Sequence, residues 1–329
     1  MFLGSATPHS RSMTEKEKSL QYDRQIRIWG VDSQSKLDAS RVLVIGLNGL
    51  MHEVAKNLVL AGITVDLWNS DETISAMDLT AGFFFRPSDI GQKKTDVLSP
   101  RLAELNRFVS VSVRGGGSPS RWVKSGVYSY SLVIQCSEDV AACTAMNDIC
   151  RECEIPFISA SVYGDVGLFF VDAGPSFSYW QWEMQSSATE KEKGKEKEKE
   201  KEKKKVWKTL SYASLAEYAK VSPSADGATS GRKRRRVLQS RILVDSWIQS
   251  LRLSDGDDGL QKSVERERGS MSTHWQDMLE RRGWITSPMA SILGGELAQE
   301  AIKIMTKHNA PIHQIFIYSE REGRGTVEA

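Results

Sequence analysis

The stretch RVLVIGLNGLMHEVAKNLVLAGI, residues 41–63, constrains the fold of this 329-residue chain more than any other. Its first five residues form a β-branched apolar run, short enough to be a buried strand. Gly46 and Gly49 interrupt the run. Val54, Leu58 and Ala61 then recur at helical spacing up to Gly62, a residue suited to the left-handed position past a helix end. Strand, glycine turn and helix in this order make a βα unit.

The first half of the chain repeats the theme. Strand candidates at 63–68, 109–113, 130–135 and 156–159 alternate with helix candidates at 93–106 and 139–152. Such alternation predicts an α/β class with a Rossmann-like, doubly wound, mainly parallel sheet covered by helices on both faces. It stops near Gly174. Residues 190–205, EKEKGKEKEKEKEKKK, alternate Glu and Lys at period two, which on a helix places like charges at every i, i+4 position. With nothing apolar to bury, the run reads as a solvated linker. Helical patches at 211–220 and 237–253, between polar loops at 222–231 and 254–259, predict a small helical insertion. Order returns at Ser287-Pro288, read as an N-cap serine and a first-turn proline, in a helix whose Gly294 and Gly295 allow close approach to another element. A strand at 314–318 and a segment at 325–328 follow. The expected organisation is a flexible start at 1–19, an α/β unit at 20–175, an insertion at 176–283 and a completing piece at 284–329.

The formal net charge of +2 gives no global case for nucleic acid, and no run approaches the roughly 20 apolar residues of a membrane helix. Residues 1–12 lack the apolar core of a secretory signal, so the chain is expected inside the cell. Arg232, Lys233, Arg234, Arg235 and Arg236 form a basic run of the kind that directs nuclear import. Cys136, Cys143, Cys150 and Cys153 offer one CxxC and no second pair, which is short of a structural zinc site. They read as small core residues with reduced thiols. His52 and His308 read as isolated surface residues.

In the glycine loop, the first glycine makes the turn and the second admits a phosphate, but Met51 stands where the third would let helix and strand close together. The degraded fingerprint in its strand and helix context argues for the fold, and the bulk of Met51 argues against a working nucleotide site. Neither Asp66, inside the second strand, nor Asp71, beyond it, suits the acid that a dinucleotide's ribose requires. Upstream, QYDRQIRIWG, residues 21–30, read as a helix, aligns Tyr22, Ile26 and Trp29 in one stripe and pairs Asp23 with Arg27 at i, i+4. Arg24 has no local counter-charge.

QYDRQIRIWG, the 41–63 stretch and GGELAQEAIKIM together resemble the non-catalytic subunits of the heterodimeric enzymes that activate ubiquitin-like proteins, the SUMO-activating branch most of all. The resemblance covers residues 20–175 and 284–329. It implies an adenylation fold related to MoeB and ThiF, in which two similar halves pair and only one binds MgATP. This chain resembles the inactive half. Thr80 and Ala81 stand where the active half carries nucleotide-facing asparagine and arginine, Glu138 stands for the magnesium aspartate and Asp139 for the asparagine after it, and Lys94 alone survives. The resemblance therefore implies that the degenerate loop of Gly46, Gly49 and Met51, with residual Lys94, holds no cofactor and no metal. It also implies that Arg24 reaches in trans to the ATP phosphates of a larger, cysteine-bearing catalytic subunit, with SUMO as the modifier and neither nucleic acid nor membrane as a partner. A purely structural partner, and a self-sufficient homodimer of the MoeB type, are the other readings. Thr80, Ala81 and Glu138 disfavour the second.

Overall fold

Residues 15–115, 117–137, 139–185, 202–220, 283–321 and 323–328 are described in a computed structural model. Three short helices lead in, α1 (Glu15–Gln21), α2 (Asp23–Trp29) and α3 (Val31–Ala39). The α/β run follows as β1 (Arg41–Ile45), α4 (Gly49–Ala61), β2 (Thr64–Trp68), α5 (Lys94–Ala103), β3 (Val111–Val113), α6 (Pro119–Lys124), β4 (Leu132–Cys136), α7 (Val140–Glu152) and β5 (Phe157–Tyr163). After it come β6 (Val166–Asp172), β7 (Phe177–Gln185), β8 (Glu202–Leu210), α8 (Leu215–Tyr218), α9 (Ser287–Thr306), β9 (Gln314–Ser319) and β10 (Arg324–Glu328).

Eight strands form one sheet in the order β10-β9-β6-β5-β4-β1-β2-β3. From β3 to β5 neighbours run parallel; β6, β9 and β10 each join antiparallel. The change of sense has a local cause. Only Gly164 (φ 65°) and Asp165 separate β5 from β6, and so short a link cannot carry the crossover that a parallel partner demands. Strand order reverses between β1 and β4, so the carboxyl ends of these two strands open a crevice. Both faces are covered, and β5 and β6 are buried along their whole length, as their unbroken apolar sequences require. On one face, Leu50, Met51, Val54 and Leu58 of α4 pack with Leu293 and Leu297 of α9. On the other, Val123, Tyr130, Met146 and Cys150 cover Leu43 and Ile45.

Several expectations change. The 21–30 stretch is two helices' worth of chain rather than one, because it breaks at Tyr22, which turns inward and is almost wholly buried, its hydroxyl accepting from Asn106 Nδ2 at 2.8 Å. Glu15 to Ser19, expected at the flexible start, belongs to α1, tied down by Lys18 to Asp38 at 2.7 Å. Residues 202–205 of the Lys/Glu run are not linker: they open β8, which pairs with β7 in a hairpin apart from the main sheet. The rest of that run, 190–201, lies outside the described residues, as do 222–231, 237–253, 254–259, the 232–236 basic run and Glu138. Thr286 rather than Ser287 caps α9, its Oγ1 accepting from Met289 N, with Pro288 in the first turn. No helix among the described residues is long and apolar enough to cross a membrane.

Candidate functional site

The glycine loop sits at the crevice, and its glycines answer to contacts within the chain. Gly46 has φ 83°, and a Cβ there would lie 2.2 Å from the Cys136 carbonyl oxygen. A Cβ on Gly49 would meet the Ala81 Cβ at 2.7 Å. Both positions need glycine with no ligand present. Asn48 caps α4, accepting from Met51 N at 3.1 Å, and its Nδ2 donates to Cys136 Sγ at 3.1 Å. Met51 is fully buried in the core, so the bulk at the third loop position supports packing of α4.

Beside the loop lies a cleft of about 440 Å³ lined by Asn48, Glu72, Asp78, Lys94 and Asp139 among others. Lys94 is buried, and its ammonium bonds Asp78 at 2.8 Å and Glu72 at 3.0 Å. Burial alone would lower its pKa, but the two carboxylates raise it instead. Asp78 mirrors this: burial pushes its carboxyl up, and bonds from Lys94 and from Ser75 hold it below the usual range. The lysine is thus spent internally. Among the described lining residues three carboxylates, Glu72, Asp78 and Asp139, stand against the one ammonium, whose charge two of them already meet. The neighbouring positions are also occupied structurally: Ala81 is buried against Gly49, and the Thr80 carbonyl accepts from the Ser287 hydroxyl at 3.0 Å. Among the described residues no cluster of His, Cys, Asp and Glu could hold a metal ion.

Asp66 has a structural task. Fully buried in β2, it accepts two bonds at 2.8 Å from Arg114, one at 2.9 Å from Arg41 and one at 2.9 Å from the Tyr130 hydroxyl. Asp71 is exposed and pairs with Lys93 at 2.8 Å. None of the four cysteines forms a disulfide; Cys143 and Cys150 are buried, and burial pushes the Cys143 thiol up to about 12, which suits core packing and not a nucleophile. The two histidines are not surface residues. His52 is fully buried, edge-on to Phe85 at 4.4 Å, and burial takes its pKa down to about 3. His308 is partly buried, stacked on Trp180 with ring centroids 3.9 Å apart.

Arg24 is elsewhere, on the outer side of α2. The helix is held at both ends: Gln25 Nε2 donates to the Leu60 carbonyl at 3.1 Å, and Trp29 Nε1 donates to Gln34 Oε1 at 3.3 Å. Asp23 and Arg27 form the expected pair at 2.9 Å. Arg24 itself is exposed, with no hydrogen bond or ion pair to any described residue. Leu20, Ile28 and Val31, on the same three lead-in helices, are also exposed. The structure therefore does not bring Arg24 together with the glycine loop. The carboxylates that neutralise Lys94 escaped the sequence reading because Glu72 and Asp78 lie far from it along the chain, without a periodic signal.

The ThiF family model matches residues 22–328. The chain is 28% identical over 327 residues to SUMO-activating enzyme subunit 1 of Dictyostelium discoideum, covering 97% of this chain and 94% of that protein. It is 27% identical over 335 residues to SUMO-activating enzyme subunit 1 of Homo sapiens, with 95% of each covered. Among solved structures, the microcin C7 biosynthetic enzyme MccB in complex with N-formylated MccA superposes with a TM-score of 0.57 at 15% identity, over 96% of this chain and 74% of that one. A likeness at that identity speaks for the fold alone.

Proposed function

From the premise that this chain belongs to the ThiF family, we propose that it is the non-catalytic half of a heterodimeric SUMO-activating enzyme, with its own cleft silent and Arg24 supplied to the partner's. What carries the reading is how the two cations are disposed. Lys94 is locked between Asp78 and Glu72, whereas Arg24 projects from an anchored helix with no ion pair to any described residue. The near-full-length similarity to SUMO-activating enzyme subunit 1 supports the choice of modifier.

In the reaction so assigned, MgATP is bound by the larger subunit, and a carboxylate oxygen of the SUMO C-terminal glycine attacks the α-phosphorus. The bond from that phosphorus to the bridging oxygen breaks, and pyrophosphate leaves. A cysteine thiolate of the larger subunit then attacks the acyl carbon and AMP departs. This chain contributes charge to the first step. A guanidinium stays protonated and can fork onto two phosphate oxygens, so it stabilises negative charge as the pyrophosphate separates.

The test is ATP–pyrophosphate exchange with SUMO in the reconstituted heterodimer. Arg24→Ala should assemble normally, since Arg24 makes no hydrogen bond or ion pair with any described residue, and slow exchange by roughly 10- to 1,000-fold. ATP affinity should change less than the rate, because the contact matters most where charge develops. Arg27→Ala, which removes the partner of Asp23, should stay near wild type when the larger subunit is saturating. Equal rates for wild type and Arg24→Ala would leave a purely structural partner.

A further inference from the structure

The β7–β8 hairpin has two unlike faces. Side chains alternate along a strand, and in the observed register Trp180 opposes Trp207, Trp182 opposes Lys205 and Met184 opposes Lys203. One face therefore gathers three tryptophans, a methionine and two lysines. Trp182, Met184 and Trp207 are each more than half exposed. The hairpin is fixed to the body through Trp180, whose N–H donates to the Lys307 carbonyl at 2.9 Å and whose carbonyl accepts from Asn309 N at 2.8 Å. Between this face and the lead-in helices runs an open groove of about 640 Å³.

The groove's two walls are apolar, with Ile28, Trp29 and Val31 on one side and Trp180 and Trp182 on the other. Its charges are mostly positive. Arg27, Lys36 and Lys205 line it, and Asp32 is the one carboxylate among the described lining residues. The Lys205 ammonium lies 4.3 Å from the Trp180 ring centroid. Lys36 is held below the usual lysine range by burial and then by Lys205 and Lys307, and His308 is lowered by burial and then by Lys205 and Lys36. Three cations against one carboxylate along the groove favour an anionic occupant. A bare anion would leave both apolar walls wet. Single-stranded nucleic acid would use the tryptophans and lysines, but gains nothing from exposed Ile28 and Val31. A peptide with carboxylates and a large apolar side chain satisfies all three features. Trp180 already spends both its backbone groups, so recognition would run through side chains.

We propose that this groove docks an acidic, apolar-anchored segment of the larger subunit. The inference rests on the heterodimer reading above. The occupant is assigned to that subunit because the wall bearing Ile28 belongs to α2, the helix that also presents Arg24.

A photoreactive residue placed by Trp182→p-benzoylphenylalanine, in the full chain assembled with the purified larger subunit and SUMO, identifies the occupant by mapping the cross-linked peptide. An acid-rich segment of the larger subunit is expected. A cross-link to SUMO, to a second copy of this chain or to its own residues would overturn the proposal, as would an assembled heterodimer with no cross-link. In parallel, Lys205→Glu should weaken association with the larger subunit by about 10-fold at low salt, with the loss shrinking as salt rises, and Lys205→Arg should not. Lys36→Glu should act in the same direction, but it also removes a bond to the Thr306 carbonyl, so Lys205 is the cleaner probe. Unchanged affinity in Lys205→Glu would count against the groove. If the unaltered chain does not assemble with the larger subunit at all, the heterodimer reading fails first, and that outcome is distinct from assembly without a cross-link.

Discussion

His52 shows how much one residue's meaning depends on what folds over it. Burial between Phe84 and Phe85 takes its pKa from the ordinary value of about 6.5 down to about 3. The folded value is the depressed one, so the neutral ring's contribution to stability is complete above pH 6.5 and is lost as pH falls from there toward 3. The slope from this one group is at most about 1.4 kcal/mol per pH unit. Asp78, held below the usual carboxylate range, also loses stabilisation on acidification, so the difference between proteins is the informative quantity. His52→Leu should flatten the acid limb of stability, followed by urea midpoints between pH 7 and pH 4. Parallel curves for the two proteins would show that the ring is not buried neutral. Nothing in MHEVAKN announces this fate, since the residues that enclose His52 lie some thirty positions further on and approach it only after the chain turns back over α4.

At the scale of elements, two adjacent glycines in α9 give a matched pair. A Cβ on Gly294 would lie 2.7 Å from the Glu53 Cβ on α4, whereas nothing lies within 4 Å of one on Gly295. Sequence alone treats the two alike. Gly295→Ala should raise thermal stability by about 0.5–1 kcal/mol through helix propensity, and Gly294→Ala should lower it by about 1–3 kcal/mol by forcing α9 off α4. Calorimetric melting of the two variants checks the sign of each. Most strand ends of the parallel half were legible to within a residue or two, but β5, expected to stop at 159, runs on to Tyr163, and α6 was not expected. The antiparallel half was less so. β6, VGLFFVD, carries no alternation because both of its faces are buried, and β8 is hidden in a charge run that reads as solvated until β7 supplies its partner. The break at Tyr22 was not legible either, because helical spacing suits the stripe equally well whether or not the chain turns inward.

For the whole molecule, the consequence of the spent lysine is that the purified chain should show no heat of binding with MgATP at micromolar concentrations in titration calorimetry. Measurable affinity would mean that the Asp78–Lys94–Glu72 arrangement opens to admit phosphates and would remove the basis for a silent cleft. The sheet has a consequence of another kind. β6 pairs with β5 on one side at once, but its other edge is met by β9, which is synthesised roughly 140 residues later, a long delay for a strand with an open row of backbone donors and acceptors. During synthesis that apolar edge therefore stays uncapped until the last few dozen residues emerge, so chaperones that shield nascent strands, and early termination just before β9, should bear on the yield of this protein more than on its finished stability.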